Sequence, residues 1–198
     1  MKQMDRLYDS ALELMCESFD TLSKKLVSPI ACSMGDGYVY RYQEKFIYQA
    51  ILQKLAREVT GLQAVRLLNK AGFLQEQASL QRMLDEFQED IMFLCFAIIS
   101  DDLTALHKKF LDAFYQEEFD IPDSAIKSAQ KRPMIPRKKI RAYISNKIPG
   151  AGYDQSTKSE VLRTLSKVYS GFVHGASPQI MELYYGSPPQ FHLKGAHK

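Results

Sequence analysis

The sequence predicts an all-α fold, a single-domain bundle of about six to seven helices, and three observations carry that reading. Apolar residues recur at spacings of three and four through most of the 198 residues, the period of a helix with one buried face. The longest wholly apolar run, residues 91–99 (IMFLCFAII), sits inside a longer helical pattern and reads as a buried core helix. It is far shorter than the roughly 20 residues that a membrane-crossing helix needs. No alternating pattern of strand type and no internal repeat interrupts the series.

The first helix spans about 3–27, with Leu7, Ala11, Leu14, Met15, Leu22 and Leu26 on one face. Ser28-Pro29 ends it, because the residue before a proline avoids the α region. PIACSMGDG reads as a loop. The second helix spans about 38–71 and carries Ile47, Ile51, Leu55, Leu62 and Val65 in one stripe. Thr60-Gly61 marks a point of bending within it, and Gly72 closes it as a C′ residue. The third helix, about 74–100, gathers Leu80, Leu84, Phe87, Ile91, Leu94 and Ile98 in a narrow arc. Its first half is amphipathic and its second half apolar all round, which makes it the central helix.

The fourth helix starts at an Asp101 or Asp102 N-cap and carries Leu103, Leu106, Phe110 and Phe114 to about 118. A connector, 119–135, leads into a fifth helix with Pro136 at N1 that ends near Lys147. A second connector, 148–157, precedes the sixth helix, which opens with the capping-box pattern Thr157-Lys158-Ser159-Glu160. It runs to His174, with Gly175 at C′. Ser177-Pro178 starts a short seventh helix to about 185, and 186–198 is a polar tail.

Several chemistries are poorly served by this sequence. Cys16, Cys32 and Cys95 form no close pair, which argues against a disulfide framework and fits free thiols in a reducing cytoplasm. His107, His174, His192 and His197 are scattered and make no metal-binding pair, so no metal is expected. No P-loop, dinucleotide fingerprint or nucleophile elbow occurs, so no nucleotide cofactor is expected. The N-terminus, MKQMDRLYDSALEL, has no apolar core of the secretory type.

Charge is unevenly placed. Between Ser124 and Tyr153 lie Lys127, Lys131, Arg132, Arg137, Lys138, Lys139, Arg141 and Lys147, with no acidic residue. Elsewhere 18 basic residues face 23 acidic ones, so an acidic body carries one basic segment. Arg137, Lys138, Lys139 and Arg141 are the candidates for binding RNA or another polyanion by phosphate neutralisation, with Tyr143 offering a stacking face. The alternative is that this segment docks onto the acidic remainder of the chain.

Two constellations are candidates for a site. Arg82, Glu86 and Asp90 stand at i, i+4 and i+8 on one flank of the central helix, either as a simple ion pair or as part of a polar site within the bundle. On the sixth helix, His174 lies off the main apolar stripe with Arg163, Lys167 and Ser170. A cation at a helix C-terminus is stabilised by roughly 0.3–1 kcal/mol, which by itself accounts for a histidine there. The functional alternative groups His174 with Arg82 and Glu86, supported by Ser170 and Tyr169.

The pattern Leu80-x-Arg82-x-x-x-Glu86, after a long helix ending in RLLNKAGF, is followed later by Ser166, Tyr169, Ser170, Val173, His174 and Gly175. Over about 45–185 this combination resembles a group of bacterial all-helical proteins of unknown function. More distantly it is similar to the HEPN-type helical domains of abortive-infection and toxin–antitoxin systems. The resemblance implies a homodimeric bundle acting on RNA. The chain departs from the HEPN pattern in one respect: no histidine has an arginine four to six intervening residues upstream, and Arg163 lies about 16 Å along the helix axis from His174.

The leading expectation is therefore a soluble, cytoplasmic helical bundle that works by binding a partner, as a homodimer and without a cofactor. A HEPN-like ribonuclease using Arg82, Glu86 and His174 is the alternative. A nucleic-acid-binding regulator using the basic segment is the third reading.

Overall fold

In a computed structural model, described over residues 2–117, 125–129, 133–148 and 155–195, the chain is the expected all-α bundle. Seven α-helices lie among the described residues: α1 Lys2–Ser23, α2 Ile47–Lys70, α3 Leu74–Ile99, α4 Ala105–Tyr115, α5 Arg137–Lys147, α6 Gln155–Val173 and α7 Ser177–Met181. The described part of the first connector holds a single 3-10 turn, Ala125–Lys127. No helix among the described residues is long and apolar enough to cross a membrane.

α3 is central, as its sequence implies. It packs against α2, α5 and α6, and Leu84, Phe93 and Leu94 are fully buried on it. Ala50 and Ile51 of α2, Phe110 of α4, and Ile140 and Ile144 of α5 complete the core around Phe93 and Leu94. α2 and α3 form an antiparallel hairpin, turned at Gly72 with φ 77°, the left-handed conformation that glycine adopts without a Cβ penalty. Phe73 N–H closes the end of α2 on the Leu68 carbonyl at 2.9 Å.

Four expectations are corrected. The loop at 29–37 and the first turns of the second helix are instead an antiparallel hairpin, β1 Ile30–Met34 with β2 Gly37–Arg41. Gly35, at φ 55°, and Asp36 make its two-residue turn, and Tyr38, Val39 and Tyr40 are strand formers, so local preference here opposes helix. The seventh helix stops at Met181, and a second small hairpin pairs β3 Tyr184–Tyr185, in the segment that reads as its last turn, with β4 Gln190–Phe191, inside what reads as a polar tail.

Asp101 and Asp102 do not cap α4; they terminate α3. Asp101 has φ 47°, which aspartate tolerates, and Asp102 N–H reaches back to the Ala97 carbonyl at 2.9 Å. Thr104 is the N-cap of α4, and its N–H donates to His107 Nδ1 at 3.1 Å. Finally, α2 runs unbroken through Gly61, whose role is close packing. A Cβ there would collide with Leu84 Cδ2 and lie 3.3 Å from Leu84 Cγ, and Leu84 is fully enclosed.

Gly61→Val should therefore overpack the α2–α3 contact and destabilise the fold by about 1–3 kcal/mol. Thermal denaturation followed by circular dichroism would register a fall in midpoint of roughly 2–12 °C. An unchanged midpoint would show that Leu84 can move aside.

Candidate functional site: the polar seam along the central helix

The polar groups of α3 recur as Arg82, Glu86, Glu89 and Asp90, spacings of three and four that place them along one side of the helix. Arg82 Nη1 and Glu86 Oε1 stand 2.6 Å apart, the local pair that the spacing implies. His174 does not join them among the described residues. It is exposed at the end of α6, where its backbone N–H donates to the Ser170 carbonyl at 3.1 Å and Gly175 turns the chain at φ 60°. No hydrogen bond or ion pair links its imidazole to a described residue. Tyr169 and Ser170 are half-buried on α6.

The basic segment is split by direction. Arg137 and Arg141 turn inward onto α3, whereas Lys138 and Lys139 are exposed. Lys131 and Arg132 lie outside the described residues. Arg137 Nη2 donates to the Glu86 carbonyl at 3.0 Å and also to Glu89 Oε2; its Nε reaches the same carboxylate oxygen at 3.1 Å, and its Nη1 pairs with Asp90 Oδ1. Arg141 Nε donates to Glu89 Oε1 at 2.8 Å. From the opposite side, Lys54 Nζ of α2 reaches Asp90 Oδ2 at 2.8 Å and stands 4.7 Å from the Phe87 ring centre. Burial pulls the Arg137 guanidinium down, but the carboxylates of Asp90 and Glu89 outweigh it and hold the group above its ordinary value.

A second polar pair lies on the other flank of α3. Glu58 of α2 is 8% exposed, and its Oε2 is buried without a hydrogen-bond partner, as is Oδ2 of Asp85. Asp85 Oδ1 accepts from Gln81 Nε2 at 3.0 Å. Burial, reinforced by the Asp85 charge, pushes the Glu58 carboxyl up to about 7, so that it titrates near neutrality. Tyr8 of α1 faces the same region. Its hydroxyl donates to the Leu62 carbonyl, and burial and the Glu58 charge raise it.

His107 is structural. It is fully buried and stacked on Phe93 with ring centres 3.9 Å apart, and its Nε2 lies 3.3 Å from the Phe93 carbonyl. Since Nδ1 accepts from Thr104, the proton resides on Nε2, and burial holds the imidazole below its ordinary pKa. Among the described residues no three His, Cys, Asp or Glu side chains stand where they would hold a metal ion. An open cleft of about 490 Å³ lies between β2, the start of α2 and the end of α4, lined by Tyr40, Tyr42, Lys45, Phe114 and Tyr115. None of the candidate site residues read from the sequence lines it.

Glu58, Glu89 and Lys54 are the polar residues that sequence reasoning passed over. Glu58 had a signal: it falls at a buried position of the stripe Ile51, Leu55, Leu62 and Val65, where a charge needs a reason. Compared with known proteins, the chain matches no protein-family model, no curated protein and no solved structure. The class defined by fold and seam is an α-helical bundle with a buried charge network on its central helix.

Two outcomes follow from this geometry. Glu89→Ala leaves Arg137 and Arg141 without their shared carboxylate and should destabilise the fold by about 3–5 kcal/mol, measured by urea denaturation. Glu58 has a folded pKa of about 7 against an ordinary 4.5, so its contribution to stability is complete below pH 4.5 and disappears as pH rises through 7. Glu58→Gln keeps a neutral side chain at every pH. Its melting point should gain on the wild type between pH 4.5 and 7 and stay ahead at pH 8; a constant difference across that range would refute the buried-acid assignment.

Proposed function

We propose that this protein works by binding a protein partner, and that the partner is a second copy of its own chain docked through α1. The observation that carries this reading is the exposure of α1. Tyr8, Leu12, Met15, Phe19 and Leu22 recur at helical spacing toward α2, yet none of them is fully buried. Beside them Leu7 and Leu14 are 61% and 64% exposed, with exposed Ala11 between them on the same face. The inner stripe is held at Tyr8, by its hydrogen bond to Leu62, and at Asp9, by its ion pair with Arg66.

Singly exposed leucines are ordinary on a protein surface. A strip continuous with an incompletely covered stripe is different, because a partner would take both from water together, at roughly 25 cal/mol per Å². A parallel consideration favours binding over catalysis: the exposed imidazole of His174 has no partner among the described residues to orient it as an acid or base. The HEPN-like resemblance, with its homodimeric bundles, supports the same assembly and a role in bacterial defence.

Light scattering coupled to size-exclusion chromatography should give twice the 22.7 kDa chain mass for the wild type. Leu7→Glu with Leu14→Glu should give the single-chain mass with unchanged helical circular dichroism. A wild-type mass of one chain at every concentration would overturn the proposal.

A further inference from the structure

The cleft between β2, the start of α2 and the end of α4 measures about 490 Å³, within the roughly 300–1,000 Å³ of small-molecule sites. Its walls are aromatic, Tyr40 and Tyr42 from the hairpin side and Phe114 and Tyr115 from α4. Bonds between residues distant in sequence hold these walls. The Tyr115 hydroxyl donates to the Phe46 carbonyl at 2.7 Å, and its ring meets Phe114 edge-on with centres 4.9 Å apart. Arg41 Nε and Nη2 donate to the Glu117 carboxylate at 2.5 and 2.9 Å, which ties β2 to the chain just past α4. Arg41 Nη1 also donates to the Tyr40 carbonyl at 2.9 Å. Walls fixed in this way need little ordering when a ligand arrives.

The aromatic surface is not used up within the chain. Tyr40 is 61% exposed, and its cross-strand neighbour is Ala31, too small to cover a ring. Tyr38 meets Tyr40 in a T-shaped contact at 5.5 Å, which orients the ring. An aromatic guest gains more from such rings than an aliphatic one of equal area, through offset stacking and edge-to-face contact.

Charge selects the sign of the guest. Of the charged groups that line the cleft, Arg41 and Glu117 neutralise each other, whereas Lys45 forms no ion pair with a described residue. Asp112 lines only the smaller hollow that adjoins the cleft, and it is not paired with Lys45 either. The Gln53 amide donates to the Gln49 carbonyl at 3.1 Å, which leaves its Oε1 as an acceptor in the wall. An uncompensated ammonium beside aromatic rings repels a cation and offers a charge-assisted hydrogen bond to an anion.

We infer that this cleft binds a planar aromatic anion, its ring against the four aromatic side chains and its acidic group on Lys45. A nucleoside monophosphate and an aromatic carboxylate share that chemistry. None of the ion-paired residues of α3 lines the cleft, and the site does not depend on docking through α1.

The test is isothermal titration calorimetry of the full-length chain with adenosine monophosphate and, separately, with naphthoate. At least one should bind saturably. Adenosine, which lacks the charge, and cyclohexanecarboxylate, which lacks the aromatic ring, should each bind at least tenfold more weakly. Lys45→Gln should weaken the anion about tenfold. Tyr40→Ala should do the same through lost stacking. Both side chains are exposed, so neither change threatens the fold. Lys138→Ala with Lys139→Ala should bind as the wild type does. Binding of adenosine monophosphate would identify a nucleotide ligand, and binding of naphthoate alone an aromatic carboxylate; either supports the site. Absence of saturable binding by both, equal affinity for cyclohexanecarboxylate, undiminished affinity in Lys45→Gln or Tyr40→Ala, or binding lost with the two lysines of α5 would overturn it.

Discussion

The basic helix α5 rests on the acidic flank of α3 through Glu89 and Asp90, and the rest of the bundle is organised around that contact. Removing three cations and two carboxylates from water is unfavourable by several kcal/mol per ion, and only close pairing with every oxygen engaged repays it. Such a contact tolerates a single register. Arg137 lies at the level of Glu86, Glu89 and Asp90, while Lys147, at the other end of α5, meets Asp102 at 3.1 Å. The two helices therefore run in the same direction, and this register is what places Ile140 and Ile144 against Phe93 and Leu94.

Lys54 extends that constraint to α2. By reaching Asp90 from the far side, it ties the α2–α3 hairpin to α5 across the body of the central helix. The close approach of α2 to α3 at Gly61 and Leu84 then encloses Glu58 and Asp85, whose unpartnered oxygens are a consequence of tight packing around carboxylates. Polar groups that remain unsatisfied in an interior this dense are uncommon. Here they occur on both sides of α3, as acids toward α2 and as donors on α5.

Legibility from the sequence followed the range of the interactions. Arg82 and Glu86 are four residues apart on one helix, so their pairing is a local matter and was readable. The inward turn of Arg137 and Arg141 depends on carboxylates about fifty positions away, and a run of cations reads alike whether it meets a phosphate backbone or another helix of its own chain. The possibility of intramolecular docking was evident from the acidic remainder; the partners were not. The missed hairpin at Ile30–Arg41 carried local signals that were passed over: Tyr38 and Tyr40 stand two apart, the strand period, after the Gly35-Asp36 turn.

Taken alone, the sequence determined the helical class, the centrality of the third helix, its ends near Gly72 and Ser100, and the glycine-terminated close of α6 at Gly175, because periodicity and capping act within a few residues. Only the tertiary structure decided that Asp101 ends one helix instead of starting the next, that Glu58 is buried near a second acid, and that the basic segment spends two arginines on the interior. Those outcomes depend on which surfaces meet, and dielectric environment and charge balance come into being only when they do.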